Sequence, residues 1–214
     1  DGKNFTYTNP LDSSGKRYLW HVCPCCVGNL PRTLLSLPSW IYTKSPDAIY
    51  VNLFVGSTVT LDQVAGTSVQ LVQTTDYPWS GQVALTVNPA ETKTFTLKIR
   101  RPNRQVSGLY ASTPKVEGLA SLTVNGATVT PTIDKGYAVL TRSWKAGDTV
   151  AWDVPMEIQR VKADSHIAAT AGRVALRYGP LLYNLESTDQ NVEAILSPDA
   201  PLSLAWRGDL LGGV

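Results

Sequence analysis

Three cysteines lie close together near the start of this 214-residue chain, at positions Cys23, Cys25 and Cys26. Closely spaced thiolates can share one tetrahedral zinc ion, and a thiolate is also the nucleophile of cysteine-based catalysis. A disulfide framework is excluded, because such frameworks distribute cysteines along the chain to close loops. The cluster therefore predicts a local thiol site that serves a metal ion, a reaction or both.

The residues around the cluster leave several interpretations open. His21 could complete a four-ligand set, which would make the segment an independent zinc-knuckle interaction domain. Buried unreactive thiols, or a strained disulfide between neighbouring cysteines, are the structural alternatives. We also expect a helix to follow the cluster with Asn29 as its N-cap. The free N–H groups and the dipole of a helix N-terminus lower the pKa of a nearby thiol.

The pattern of apolar residues changes along the chain from helical to alternating. Leu30, Leu34, Leu37 and Ile41 recur at helical spacing, which predicts one helix over Leu30–Ile41 that bends or ends at Pro38. Strands follow, rich in Val, Thr and Leu. The predicted strands are Ile49–Val55 with an extension over Ser57–Leu61, Ser68–Thr74, Gln82–Val87, Thr94–Arg100, Ala120–Val124, Ala138–Thr141, Thr149–Val154 and Val174–Tyr178.

Turn residues between these strands indicate antiparallel pairing. Asn125-Gly126 between two apolar runs is typical of a tight hairpin. Many short strands at this spacing predict a mainly β fold, an antiparallel β-sandwich or sandwiches behind a short helical segment. We place one domain boundary at 43/44. A second lies at 162/163, after which residues 163–214 start a second β module or complete the first.

The charge and hydropathy of the sequence disfavour two classes of partner, nucleic acids and membranes. The formal net charge of +2 comes from scattered Lys and Arg, so no nucleic-acid surface is predicted. No apolar run reaches the roughly 18 residues that a membrane helix needs. The first residue is Asp1, and the last is an apolar Val214. We expect from these ends that the chain is part of a longer protein.

Consecutive blocks of sequence resemble one enzyme family over essentially the whole chain. The blocks are FTYTNPL, CPCCVGNLPRTL, AIYVNLFVGSTVTL, VNPAETKTFTLKIRRP, LTVNG, GYAVLTRSWKAGDTVAWDVPMEIQRV and GRVALRYGPLLYNLE, in this order. They resemble the β-L-arabinofuranosidases of glycoside hydrolase family 127 and its sister family 146. The resemblance implies an (α/α)6 catalytic barrel followed by β-sandwich domains, with residues 1–43 as the C-terminal end of that barrel.

The same resemblance implies a zinc-dependent retaining mechanism. Cys25 would be the nucleophile and a Zn²⁺ ligand, and Cys26 would be a second Zn²⁺ ligand. A glutamate and a further cysteine from an earlier part of the protein would complete the zinc shell, and another glutamate would donate the proton. Cys23 matches the first position of the family's CxCC motif, without an assigned role. The implied substrate is an arabinose-containing oligosaccharide or glycan.

Several other residues have both a functional and a structural interpretation. Tyr7 precedes the cysteines and could line a sugar pocket or simply end a strand. Trp79, Trp144 and Trp152 could stack on sugars, but core packing is favoured for them. His166 is interpreted as a loop histidine. The alternative to a catalytic role for the chain is a non-catalytic β-sandwich that supports a barrel, mediates a homodimer or binds carbohydrate.

Overall fold

A computed structural model of the chain describes residues 25–103, 107–185 and 191–209. Two helices open the described part, α1 over Cys25–Ser36 and α2 over Pro38–Ile41. The predicted helix therefore begins at Cys25 rather than Leu30, and the expected N-cap Asn29 lies inside it. The break before Pro38 is confirmed: Leu37 separates the helices, and Pro38 takes the first turn of α2, where its missing N–H costs nothing.

Strands make up most of the described chain beyond residue 41. They are β1 Tyr42–Lys44, β2 Ala48–Val51, β3 Ser57–Val64, β4 Thr67–Thr75, β5 Gln82–Pro89, β6 Lys93–Arg100, β7 Tyr110–Thr113, β8 Ser121–Val124, β9 Ala127–Thr128, β10 Thr132–Asp134, β11 Tyr137–Trp144, β12 Asp148–Asp153, β13 Ile158–Ala163, β14 Ala175–Tyr178 and β15 Leu181–Tyr183. The mainly β prediction is confirmed.

The strands form three sheets in the described residues. The first has the order β1-β2-β6-β11-β10, the second β3-β4-β5-β12-β8-β9, and the third β15-β14-β13-β7. Neighbouring strands are antiparallel except for the parallel pair β2 and β6. The first two sheets contribute alternate residues to one buried core, which is the arrangement of an antiparallel sandwich.

Alternation explains which side chains fill this core. Along β5, Val83, Leu85 and Val87 are buried, whereas the residues between them face outward. Trp144 is fully buried on the first sheet, and its indole N–H donates to the Phe95 carbonyl at 3.0 Å. A buried indole needs such an acceptor, since an unpaired N–H in an apolar core is costly.

One predicted strand is wrong in its extent. The apolar run from Ile49 to Leu61 does not form one long strand, because β2 ends at Val51 in the first sheet and β3 begins at Ser57 in the second. Residues 52–56 cross between the sheets. Two of their backbone carbonyls accept hydrogen bonds from a side chain rather than from a neighbouring strand. The side-chain amide of Gln73 donates to the carbonyls of Leu53 and Val55 at 3.2 and 2.9 Å.

The third sheet joins segments that are distant in sequence. Strand β7 pairs with β13, and β14 pairs with the other edge of β13. Arg177 on β14 donates to Gln159 on β13 at 2.8 Å and to Ser112 on β7 at 2.9 Å. This sheet has strands on both sides of the proposed 162/163 boundary, and both domain boundaries stay predictions. None of the described helices is long and apolar enough to cross a membrane.

Candidate active site

The cysteine pair opens helix α1. The sequence placed the cysteines ahead of the helix, but Cys25 and Cys26 are its first two residues. The first four N–H groups of a helix have no acceptor within it, and its dipole is positive at this end. No acidic side chain occupies this first turn to compete for those groups. The backbone therefore provides a setting that favours an anionic sulfur.

Several predicted site residues lie outside the described part of the chain. These are Tyr7, His21 and Cys23, together with the side chains of Cys25 and Cys26. Among the residues that the structure does describe, no group of three or more His, Cys, Asp or Glu side chains is placed to hold a metal ion. The zinc site and the sugar pocket thus stay predictions.

Helix α2 and strand β1 connect the cysteine helix to the sandwich. Ile41 and Tyr42, at this junction, are both buried. The backbone N–H of Asn52 donates to the Ile41 carbonyl at 2.8 Å, and that of Leu53 donates to the same oxygen at 3.3 Å. The end of α2 is therefore hydrogen-bonded to the segment that crosses between the two sheets.

The side chain of Asn52 adds three further hydrogen bonds at this junction. Its amide N–H₂ donates to the Trp40 carbonyl at 3.3 Å and to the Thr43 hydroxyl at 3.1 Å. Its amide oxygen accepts from the Tyr137 hydroxyl, on β11, at 2.8 Å. One residue thus ties the last turn of α2 to the middle of the first sheet. Sequence reasoning missed Asn52, although a lone amide within an apolar run was a visible signal.

Gln73 supports the same junction from the second sheet. It is buried, and its amide donates to the Tyr42 hydroxyl at 3.1 Å as well as to the crossing segment. The Tyr42 hydroxyl also exchanges a hydrogen bond with the Ser57 hydroxyl at 3.0 Å. Burial raises the pKa of Tyr42, so its hydroxyl is neutral at physiological pH. Both sheets therefore hold the junction of α2 and β1 that follows the cysteine helix.

Helix α1 presents apolar side chains that the described residues leave uncovered. Leu30 is 48% exposed, Leu34 60% and Leu35 83%, and Trp40 on α2 is 49% exposed. Isolated exposed leucines are ordinary, but several on one short helix are typical of a contact surface. The helical spacing predicted from these leucines is real, yet it does not bury them against the sandwich.

Comparison with known proteins places this fold and this junction in a family. The model of the β-L-arabinofuranosidase GH127 middle domain matches residues 48–156, which is half of the chain. The chain belongs to glycoside hydrolase family 127. The model of the family 127 C-terminal domain matches residues 158–206.

Relatives of this family 127 chain are similar to it along its whole length. A non-reducing end β-L-arabinofuranosidase of Bifidobacterium longum subsp. longum is 28% identical over 100% of the chain. A solved family 127 β-L-arabinofuranosidase from Geobacillus stearothermophilus T6 matches with a TM-score of 0.82 at 36% identity, and another solved family 127 β-arabinofuranosidase with 0.88 at 34% identity, each over 100% of the chain. The chain spans 34% of the first two proteins and 35% of the third.

The tryptophans and His166 of the family 127 chain, which the sequence offered as possible functional residues, differ in how far they are exposed. Trp144 and Trp152 are buried, as core packing requires. The same assignment is wrong for Trp79, which is 43% exposed and meets the exposed Trp206 edge-on with ring centroids 5.7 Å apart. His166 lies in an exposed turn and contacts the Asp164 carboxylate, as expected for a loop histidine.

Loss of the Asn52 side chain should destabilise the junction between α2 and the sandwich. We expect Asn52→Ala to lower stability by about 1–3 kcal/mol, because it leaves the Trp40 carbonyl and the Tyr137 hydroxyl without their partner. Tyr137→Phe removes only one of the three side-chain hydrogen bonds and should cost less. Urea denaturation of the chain measures both changes. Equal stability of Asn52→Ala and the unchanged chain would show that the hydrogen bonds of the Asn52 side chain do not stabilise this junction.

Proposed function

We propose that the full-length protein containing this chain is a glycoside hydrolase that releases L-arabinofuranose from β-L-arabinofuranosides. The family membership and the names of the relatives support this activity. The observation within the chain that carries the proposal is the start of helix α1 at the cysteine pair, which α2 then joins to the sandwich by hydrogen bonds. A nucleophile must be positioned within a few tenths of an ångström, and the first turn of a helix positions a side chain more precisely than a loop does.

In this proposal Cys25 supplies the nucleophile. Its thiolate attacks the anomeric carbon, a carbon–sulfur bond forms, and the bond to the departing oxygen breaks. A carboxylic acid elsewhere in the full-length protein protonates that oxygen. Water then attacks the same carbon and gives its proton to the carboxylate left by the first step. The carbon–sulfur bond breaks and returns the thiolate, so the configuration is retained over two inversions. Sulfur replaces the carboxylate nucleophile that retaining glycosidases usually employ.

Zinc fits the donor set that the chain offers. Sulfur is a ligand that Zn²⁺ prefers, and Cys25 and Cys26 would supply two of the four positions of a tetrahedral shell. When bound, zinc stabilises the deprotonated sulfur at neutral pH. The glutamate and the additional cysteine that complete the shell would come from elsewhere in the full-length protein.

The sandwich has a supporting role within the same proposal. The exposed leucines of α1 would pack against the remainder of an (α/α)6 barrel, to which residues 1–43 contribute. Residues 44–162 and 163–214 would then be β modules that hold the last barrel helix. A homodimer formed through a β-sandwich stays a prediction.

Hydrolysis of an aryl β-L-arabinofuranoside by the full-length protein tests the activity. We expect turnover of the β-anomer and none of the matched aryl α-L-arabinofuranoside. The isolated 214-residue chain should be inactive, since it lacks the proton donor, and should retain little zinc after dialysis. Stoichiometric zinc in the isolated chain that resists a chelator would instead favour an independent zinc-knuckle domain.

A further inference from the structure

The outer face of the second sheet contains a cleft that the proposed reaction does not use. The cleft has a volume of about 460 Å³. Its floor is a row of small side chains on four neighbouring strands. In register across β4, β5, β12 and β8, these residues are Thr74, Ala84, Ala151 and Thr123. Two alanines in the middle of a sheet leave the floor lower than its flanks.

The wall of the cleft carries hydrogen-bonding groups. Asp153 lies between Gln82 and Ser121 in the next row of the sheet, and Asp76 follows the end of β4. Within the described part of the chain, the carboxylates of Asp76 and Asp153 have no hydrogen-bond or ion-pair partner. Among the described residues, no Lys, Arg or His lines the cleft. The cleft thus offers unpaired acceptors and a negative potential.

A glycine keeps one of these carboxylates against the wall. A Cβ atom at Gly81 would collide with the Val154 carbonyl and would lie 2.8 Å from Asp153 Oδ1. The backbone N–H of Val154 also donates to the Gly81 carbonyl at 2.9 Å. The chain therefore approaches Asp153 closely at a position where only glycine fits.

The turn that begins at Asp76 carries an exposed indole, which contacts a second exposed indole. The backbone N–H of Trp79 donates to the Asp76 carbonyl at 2.8 Å, so both residues belong to one tight turn. Trp79 is 43% exposed, and its edge-on neighbour Trp206 is 61% exposed. An exposed indole pair beside unpaired carboxylates combines an apolar stacking surface with strong acceptors.

We propose that this cleft binds a neutral oligosaccharide, as a glycan-binding site separate from the cysteine pair. Sugar hydroxyls would donate to Asp76 and Asp153, the C–H face of a ring would pack on Trp79, and the small floor would admit a ring. The missing basic side chains disfavour uronate or phosphate ligands. The site rests on its own residues and does not require the proposed hydrolytic activity.

Affinity electrophoresis tests the cleft in the full-length protein with Cys25→Ala, so that the probe is not hydrolysed. The probe is soluble arabinan in the gel, and polygalacturonate is the charged comparison. We expect retardation by arabinan only. Asp76→Asn with Asp153→Asn, and separately Ala84→Gln with Ala151→Gln, should raise the dissociation constant at least about tenfold. The control Thr60→Gln, exposed on edge strand β3, should stay within about twofold.

Two results would overturn the proposal. The first is retardation that the cleft substitutions leave unchanged, or no retardation of the Cys25→Ala protein. The second is a calcium-dependent rise in melting temperature that Asp76→Asn with Asp153→Asn abolishes, without any effect of arabinan, which would identify a cation site.

With Cys25 intact, the cleft variants should keep kcat/KM on a small aryl glycoside within about twofold. A loss of kcat/KM on the aryl glycoside as large as the loss of arabinan binding would show that the cleft residues belong to the active site or are needed for folding. If the full-length protein does not hydrolyse the aryl glycoside, the electrophoresis still tests whether the cleft binds arabinan.

Discussion

Cys25→Ser should lower kcat/KM of the full-length protein on an aryl β-L-arabinofuranoside by ~10³-fold or more. Removal of a catalytic nucleophile has effects of at least this size in other hydrolases. A serine hydroxyl stays protonated near neutral pH and is a poor nucleophile without a strong base beside it. Initial rates at several substrate concentrations measure the change.

Cys23→Ser is the matched comparison, because it makes the same atomic exchange two residues earlier. We expect a milder loss, about 10–100-fold at most, if Cys23 only supports the zinc ligands. Mass spectrometry after treatment with an arabinofuranosyl-type covalent inhibitor should locate the label on Cys25. A label on a carboxylate, together with an active Cys25→Ser variant, would refute the thiolate mechanism.

Local signals in the sequence predicted the parts of the fold that depend on neighbouring residues. Asn125 and Gly126 both adopt positive φ, at 50° and 78°, and join β8 to β9 as a two-residue hairpin requires. Strand β5 alternates between buried and exposed side chains, so its position was visible from its pattern. Such features need no information about distant parts of the chain.

Long-range pairing decided the features that the sequence did not reveal. Both halves of the apolar run around Asn52 have strand-like composition, so composition did not show that the chain leaves one sheet there and enters the other. Strand β7 was missed, since only its pairing with β13 makes that short segment a strand. The cleft residues Asp76 and Asp153 line one cleft only when β4, β5 and β12 are in register.

The start of the cysteine helix differs from the start that the capping signal predicted. Asn29 is a good N-cap residue, and the sequence favoured a helix that begins after it. The helix begins at Cys25 instead, so the cysteines stand within its first turn rather than ahead of it. Pro31 then lies inside the helix, where it removes one backbone hydrogen bond. The change strengthens the case for an anionic sulfur at Cys25, since the free N–H groups belong to the cysteines' own turn.

Cys26→Ser should also reduce activity severely, about 100-fold or more, but through loss of zinc rather than of the nucleophile. A neutral hydroxyl is a much weaker zinc ligand than a thiolate. Zinc content after dialysis, measured by atomic emission, should therefore fall together with kcat/KM. Added zinc should restore part of the activity of Cys26→Ser by mass action, but none of that of Cys25→Ser. A Cys26→Ser protein that keeps its full zinc content and loses activity would show that Cys26 acts in the reaction itself and is not a zinc ligand.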